Sequence, residues 1–177
     1  MGSWVVYGLG SVSQNLPAYV VLDDALGLPI NGTQNWQAGF LPPVYQGTRI
    51  RSKGSPILNL TPETPEPSEV AQAGKELLSR LDLIHKRNHP NELQLDARIS
   101  SYELAANLQM SASDALDISK ESAETLEMYG VGQEPTDSYG RRCIMARRLI
   151  ERGVRFVQLY INSQIWDNHT YLERDMR

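Results

Sequence analysis

Trp166-Asp167-Asn168-His169 sets a carboxylate and an imidazole two residues apart. Aspartate oxygen and histidine nitrogen are ordinary ligands of a divalent cation, so Asp167 and His169 form the first candidate metal pair. Two ligands do not complete a site, and at least one or two more must come from elsewhere in the fold. The simpler alternative for the same residues is a loop aspartate capping a helix that starts at Thr170, beside a half-exposed histidine.

The remaining reactive side chains suggest less. His85 and His89 are four apart, which places two imidazoles on one helical face. The interval His-Lys-Arg-Asn-His lacks the glutamate that a zincin helix carries. In the last turn of a helix both rings are explained by the dipole. Asp23-Asp24 follows an apolar run and can either meet a cation or close a turn. Gly8-Leu9-Gly10-Ser11-Val12-Ser13 starts like a dinucleotide fingerprint, but Ser13 stands in place of the third glycine and no good strand precedes it. The chain has no Gly-x-Ser-x-Gly elbow. Cys143, between Arg142 and Ile144, reads as a small buried apolar residue. Arg141, Arg142, Arg147, Arg148, Arg152 and Arg155 face only Glu151 in the same stretch. That excess suits either a sulfate or phosphate site or a solvated helix face. Asn31-Gly32-Thr33 and Asn168-His169-Thr170 match the glycosylation pattern, which says little alone.

Elements must position these groups. Residues 18–22, Ala-Tyr-Val-Val-Leu, form a β-branched and aromatic run closed by Asp23-Asp24, and predict a buried strand. From 26 to 67 the texture is Gly, Pro, Asn and Thr, with Trp36, Phe40, Leu41 and Tyr45 as anchors. An ordered loop of about 40 residues is rare and usually functional. Thr61 to Pro67 reads as a stiff connector. Ser68 can cap a helix over 68–88, with Val70, Leu77, Leu81 and Ile84 at helical spacing. Asn91 can cap the next helix over 92–110, which has two apolar faces and should be well buried. Joined so closely, the two predict an antiparallel hairpin. A shorter helix over 120–129 ends at Gly130. A further helix over 139–152, capped by Ser138, meets Gly153, a left-handed terminator. Residues 154–161 are then nearly continuously apolar, the signature of a strand covered on both faces in a parallel sheet. Helix, glycine and buried strand make the second half of a βαβ unit, so the fold class is α/β. With only two or three strands in evidence the sheet would keep open edges, and the expectation is part of something longer.

Composition narrows the function. The chain has 177 residues, with 17 basic and 21 acidic side chains and a formal charge of −4, which suits one domain and no nucleic-acid partner. A single cysteine rules out a disulfide framework or a cysteine-built zinc site. No apolar run reaches the ~18–20 residues that cross a bilayer, so no membrane partner is expected. The first residues lack the features of a secretory signal.

Several stretches together resemble a known family. They are Met1-Gly2-Ser3-Trp4 with Tyr7-Gly8-Leu9-Gly10, Gln14-Asn15-Leu16-Pro17, Gly39-Phe40-Leu41-Pro42, Tyr45-Gln46-Gly47-Thr48 and Pro56-Ile57-Leu58-Asn59-Leu60. Ser101-Tyr102-Glu103-Leu104-Ala105, Tyr129-Gly130, the run from Ala146 to Gln158, and Trp166-Asp167-x-His169 complete the set. In this order they resemble the bacterial family catalogued as domain of unknown function 1501, which is sulfatase-like and similar to the alkaline phosphatase superfamily. One departure is Ile165, where the family usually has glycine.

The resemblance implies a partial α/β/α sandwich with a helical insertion and a long ordered loop region. It divides one partial domain into 1–67 (strand and long loops), 68–130 (helical segment) and 138–177 (helix, strand and metal loop). It implies a metal-dependent hydrolase of small anionic sulfate or phosphate esters, with Asp167 and His169 as ligands of zinc, calcium or manganese. It also implies a longer protein carrying the nucleophile, a second Asp-His element and an export signal for the periplasm. The fragment alone should be inactive. The alternative is a non-catalytic binding or scaffold module on the same fold.

Overall fold

A computed structural model describes residues 1–13, 15–51, 67–90, 92–162, 170, 171 and 173. Three parallel strands form its centre: β1 (Tyr19–Leu22), β2 (Thr48–Ile50) and β3 (Phe156–Leu159), in the order β2-β1-β3. Register sets Val20 beside Thr48 on one side and Val157 on the other. The apolar run Tyr-Val-Val-Leu therefore takes the one position where both edges are paired, and all four of its residues are buried.

Helices cover both faces of the sheet. Helix α1 (Gly2–Leu9) brings Val6 onto Tyr19, Val21 and Trp36. Gly2 makes this approach possible, since a Cβ there would lie 2.6 Å from the Tyr19 ring. On the opposite face α5 (Asp137–Glu151) brings Leu149 into a core of Leu16, Val20, Leu22 and Ile50. The end of α3 (Leu93–Leu116) adds Ala115 and Leu116 to that core. Burying each such Leu, Ile or Val side chain contributes about 1.5–3 kcal/mol.

The turn from α5 into β3 follows from Gly153. Its φ is 91°. Gly153 N–H donates to the Ile150 carbonyl at 3.0 Å and Val154 N–H to that of Leu149 at 3.0 Å, the paired bonds of a Schellman end. This much of the βαβ expectation holds, and the fold is mixed α/β with a small parallel sheet.

Helix α2 (Ser68–Asn88) has the predicted bounds, although Pro67 takes the cap position and Ser68 lies inside the first turn. The 92–110 helix runs on to Leu116, and its burial is partial: Ala97 is buried, while Tyr102 is exposed. Helix α4 (Ala123–Met128) is shorter than predicted and is capped by Ser122, whose Oγ accepts from Thr125 N–H at 3.2 Å. Helix α5 starts at Asp137, with Thr136 rather than Ser138 at the cap position.

Two elements depart from the sequence expectation outright. Residues 2–9 form a helix where none is expected, and 48–50 add a strand inside the Gly/Pro-rich stretch. Gly47 makes that strand possible, because a Cβ would come within 2.8 Å of Val21. Trp36 is buried as an anchor, but Phe40 is fully exposed.

Candidate functional site at the carboxyl edge of the sheet

Because the strands are parallel, their carboxyl ends share one edge, where ligands gather in open α/β sheets. Asp23 and Asp24 leave β1 there, and Tyr160 to Asn162 leave β3. Arg142 of α5 reaches the same edge although it is 3% exposed. Its Nη1 donates to the carbonyls of Asp23, at 3.2 Å, and Tyr160. Its Nη2 donates to Asp24 Oδ2 at 3.0 Å, and its Nε to the Ser138 carbonyl at 3.2 Å. One guanidinium thus fixes the exits of two strands to the helix behind them.

Asp24 is satisfied from several sides. Leu26 N–H donates to Oδ1 at 3.0 Å and Asn162 N–H to Oδ2 at 3.2 Å. Burial pushes this carboxyl up, but the Leu26 and Asn162 amides and Arg142 together outweigh it and hold it below its usual value. Asp23 is bonded by Arg49 of β2, with Nε at 2.7 Å from Oδ2. The Asp23-Asp24 pair therefore closes a turn and binds arginines. A cation there would have to displace two ion pairs.

Behind the edge, phenol hydroxyls form a chain through the second core. Tyr19 donates to Gln158 Oε1 at 2.5 Å, Gln158 Nε2 to the Tyr160 hydroxyl at 2.7 Å, and that hydroxyl to the Asn35 carbonyl at 3.4 Å. Burial, with Tyr160 nearby, pushes Tyr19 up to about 12, and burial raises Tyr160 as well. Both phenols stay protonated at neutral pH and act as fixed donors rather than bases.

The arginines of α5 do not form an open anion site. Arg148, 7% exposed, donates to the Ala115 carbonyl at 3.1 Å and to Glu121 Oε1 at 2.6 Å, and closes the end of α3. Arg147 pairs with Glu121, Arg152 with Asp114 and Arg141 with Asp137. Arg155 donates to the Gly10 carbonyl. Hydrogen bonds from Arg147 and Arg148 hold Glu121 below its usual value, and those from Lys120 and Arg152 lower Asp114 to about 2.

Other candidates fall elsewhere. Gly8-Leu9-Gly10 closes α1 and follows no strand; Gly10 has φ 66°. His85 and His89 are exposed at the end of α2, with ring centroids 4.3 Å apart and His89 Nδ1 3.0 Å from the His85 carbonyl. Cys143 is half-buried, and burial raises its thiol. A cleft of about 640 Å³ lies between the 43–46 turn and α3, beside Arg98 and Tyr102, on the side of the turn that precedes β2. Asn31 begins a short 3₁₀ turn. Asp167, His169 and Asn168 lie outside the described residues. Among the described residues no group of three or more His, Cys, Asp or Glu side chains could hold a metal ion, and no helix is long and apolar enough to cross a membrane.

Sequence reasoning missed the Arg142–Asp24 pair, whose members are 118 residues apart. The available signal was an Asp-Asp pair after one strand and an arginine in the helix feeding the next.

Comparison with family models matches residues 1–177 to the family described as "Protein of unknown function (DUF1501)". No curated protein and no solved structure matches the chain.

Proposed function

Since the chain belongs to the DUF1501 family over its whole length, we propose that it is part of a sulfatase-like, metal-dependent hydrolase of small sulfate or phosphate esters. One observation supports this reading. The strands end on a common edge, Arg142 holds the exits of β1 and β3 rigidly there, and the chain beyond Asn162 runs on to Trp166-Asp167-Asn168-His169. Asp167 and His169 would hold the cation, with further ligands from outside the described residues. A carboxylate with an imidazole suits zinc or manganese; calcium prefers oxygen alone. When bound, such a metal polarises the ester and stabilises charge on its oxygens. This chain's own contribution is to fix the edge: Asp24 and Arg142 neutralise one another, so neither competes for the cation or for the anionic ester.

Elemental analysis of the purified protein tests the assignment. Metal is expected in the wild type and lost in the Asp167→Ala/His169→Ala variant; unchanged metal content overturns it. The 177-residue chain by itself is expected to turn over neither an aryl sulfate nor an aryl phosphate, and turnover would refute that part. A silent binding module is the second reading, favoured by the full pairing of Asp23 and Asp24 with arginines. It predicts no bound metal in either protein.

A further inference from the structure

Helix α2 turns the wrong side outward. On the side toward α3, Ser79, Asp82, Leu83 and Lys86 line a small cleft with Ile99, Ser100 and Glu103, and Leu83 there is itself 57% exposed. At about 100° per residue, the stripe of Val70, Leu77, Leu81 and Ile84 lies on the opposite side of the helix. These four side chains and Leu78 are each 50–59% exposed, and no residue of α2 is buried. An apolar stripe of four turns left more than half exposed marks an interaction surface.

The charges beside the stripe select its occupant. Glu69, Glu76, Arg80 and Arg87 recur along one flank with the 7-4-7 spacing of a single helical face. The acids lie in the amino-terminal half and the arginines in the carboxyl-terminal half. When two copies of such a helix run antiparallel, like flanks meet. With the twofold axis near Leu77 and Leu78, Glu69 faces Arg87 of the second copy, Glu76 faces Arg80, and both contacts occur twice. That register leaves Val70 near Ile84 and Leu77 near Leu77 of the second copy, each offset by two residues along the axis. A parallel pair would set this flank against Ala71, Leu78 and His85, which offer no acid to the arginines. We propose that α2 is a self-complementary docking surface, on which a second copy of this chain binds through an antiparallel α2–α2 contact about a twofold axis. This inference is independent of the hydrolase reading.

Sedimentation velocity on the 177-residue chain over a range of concentrations tests it. A monomer–dimer equilibrium is expected, with sedimentation depending on concentration. Leu77→Glu buries two charges on the axis and should weaken the dimer at least tenfold, with the helical circular dichroism unchanged. Arg80→Glu sets Glu76 against a second glutamate twice and should weaken it about fivefold to tenfold. The double change Glu76→Arg/Arg80→Glu rebuilds both pairs with reversed sign and should restore the wild-type dissociation constant within about twofold. A chain that stays monomeric at all concentrations overturns the proposal. So does a dimer indifferent to Leu77→Glu, or a charge reversal that the double change does not rescue.

Discussion

Strand β1 and helix α2 stand at opposite extremes of the molecule. Every residue of β1 is buried, and none of α2 is. Yet both are regular elements with a clear apolar pattern. The difference is what their neighbours supply. β1 has a paired strand on each side and a helix layer on each face, so each apolar group displaces water and each backbone group finds a partner. α2 satisfies its own backbone internally and buries none of its side chains. A residue-fixing site belongs on the first kind of element, because rigidity there is set by many contacts at once. An exchangeable contact belongs on the second.

Breaking the buried edge tests that contrast most severely. Arg142→Ala removes the cation that ties the exits of β1 and β3 to α5, and leaves Asp24 and two carbonyls short of a donor. Removing one member of a buried pair costs about 3–5 kcal/mol. The midpoint of urea unfolding should fall accordingly while its slope stays constant. A loss below about 1 kcal/mol would mean that water or relaxation replaces the guanidinium, and that the edge is no more rigid than the surface.

How much of this was legible follows from the range of the interactions. The bounds of α2, the β1 run, and the Gly153 turn into an apolar strand are local: periodicity, β-branching and one left-handed glycine carry them. β2 was hidden because it is three residues long and owes its place to the absence of a side chain at Gly47, which matters only once Val21 is beside it. α1 was hidden because Gly2 and Gly8 lower helix propensity, while the contact that requires Gly2, the Tyr19 ring, lies on another element. Arg142 read as one cation among six. Its partners at positions 23, 24 and 160 are assembled only by the sheet. Asp167 and His169 were legible as a donor pair, and their geometry lies outside the described residues.

Acid attacks the same edge more gently than deletion. Asp24 is held below its usual value, so its contribution is complete above the carboxyl range of the unfolded chain, near pH 4. As pH falls through the lowered folded-state value, the unfolded chain takes up the proton first and that contribution is lost. Asp137, held down by Arg141 and the Gly132 amide, and Asp114, at about 2, act in the same direction. Stability should therefore be flat from pH 7 to about 5 and decline below about 4. Asp24→Asn should be less stable at pH 7 and decline less steeply on acidification. Parallel curves for the two proteins would show that Asp24 gains nothing from its partners when ionised.

The smallest effect makes the cleanest comparison, because the same atoms are removed in both regions. Leu149 is fully buried between α5 and the sheet, and its replacement by alanine leaves a cavity that close-packed neighbours fill only in part. That loss is about 2–5 kcal/mol. Leu81 on α2 is 53% exposed, so Leu81→Ala gives up little burial, opens no cavity and slightly improves helix propensity. In a dilute solution of monomer its effect on stability should stay within about 0.5 kcal/mol. At concentrations where two α2 helices meet, the same change should lower the midpoint, because the stripe then covers apolar surface. Equal losses at both sites in dilute solution would mean that α2 is packed against its own chain. A loss at Leu81 that grows with concentration is what an exchangeable surface requires.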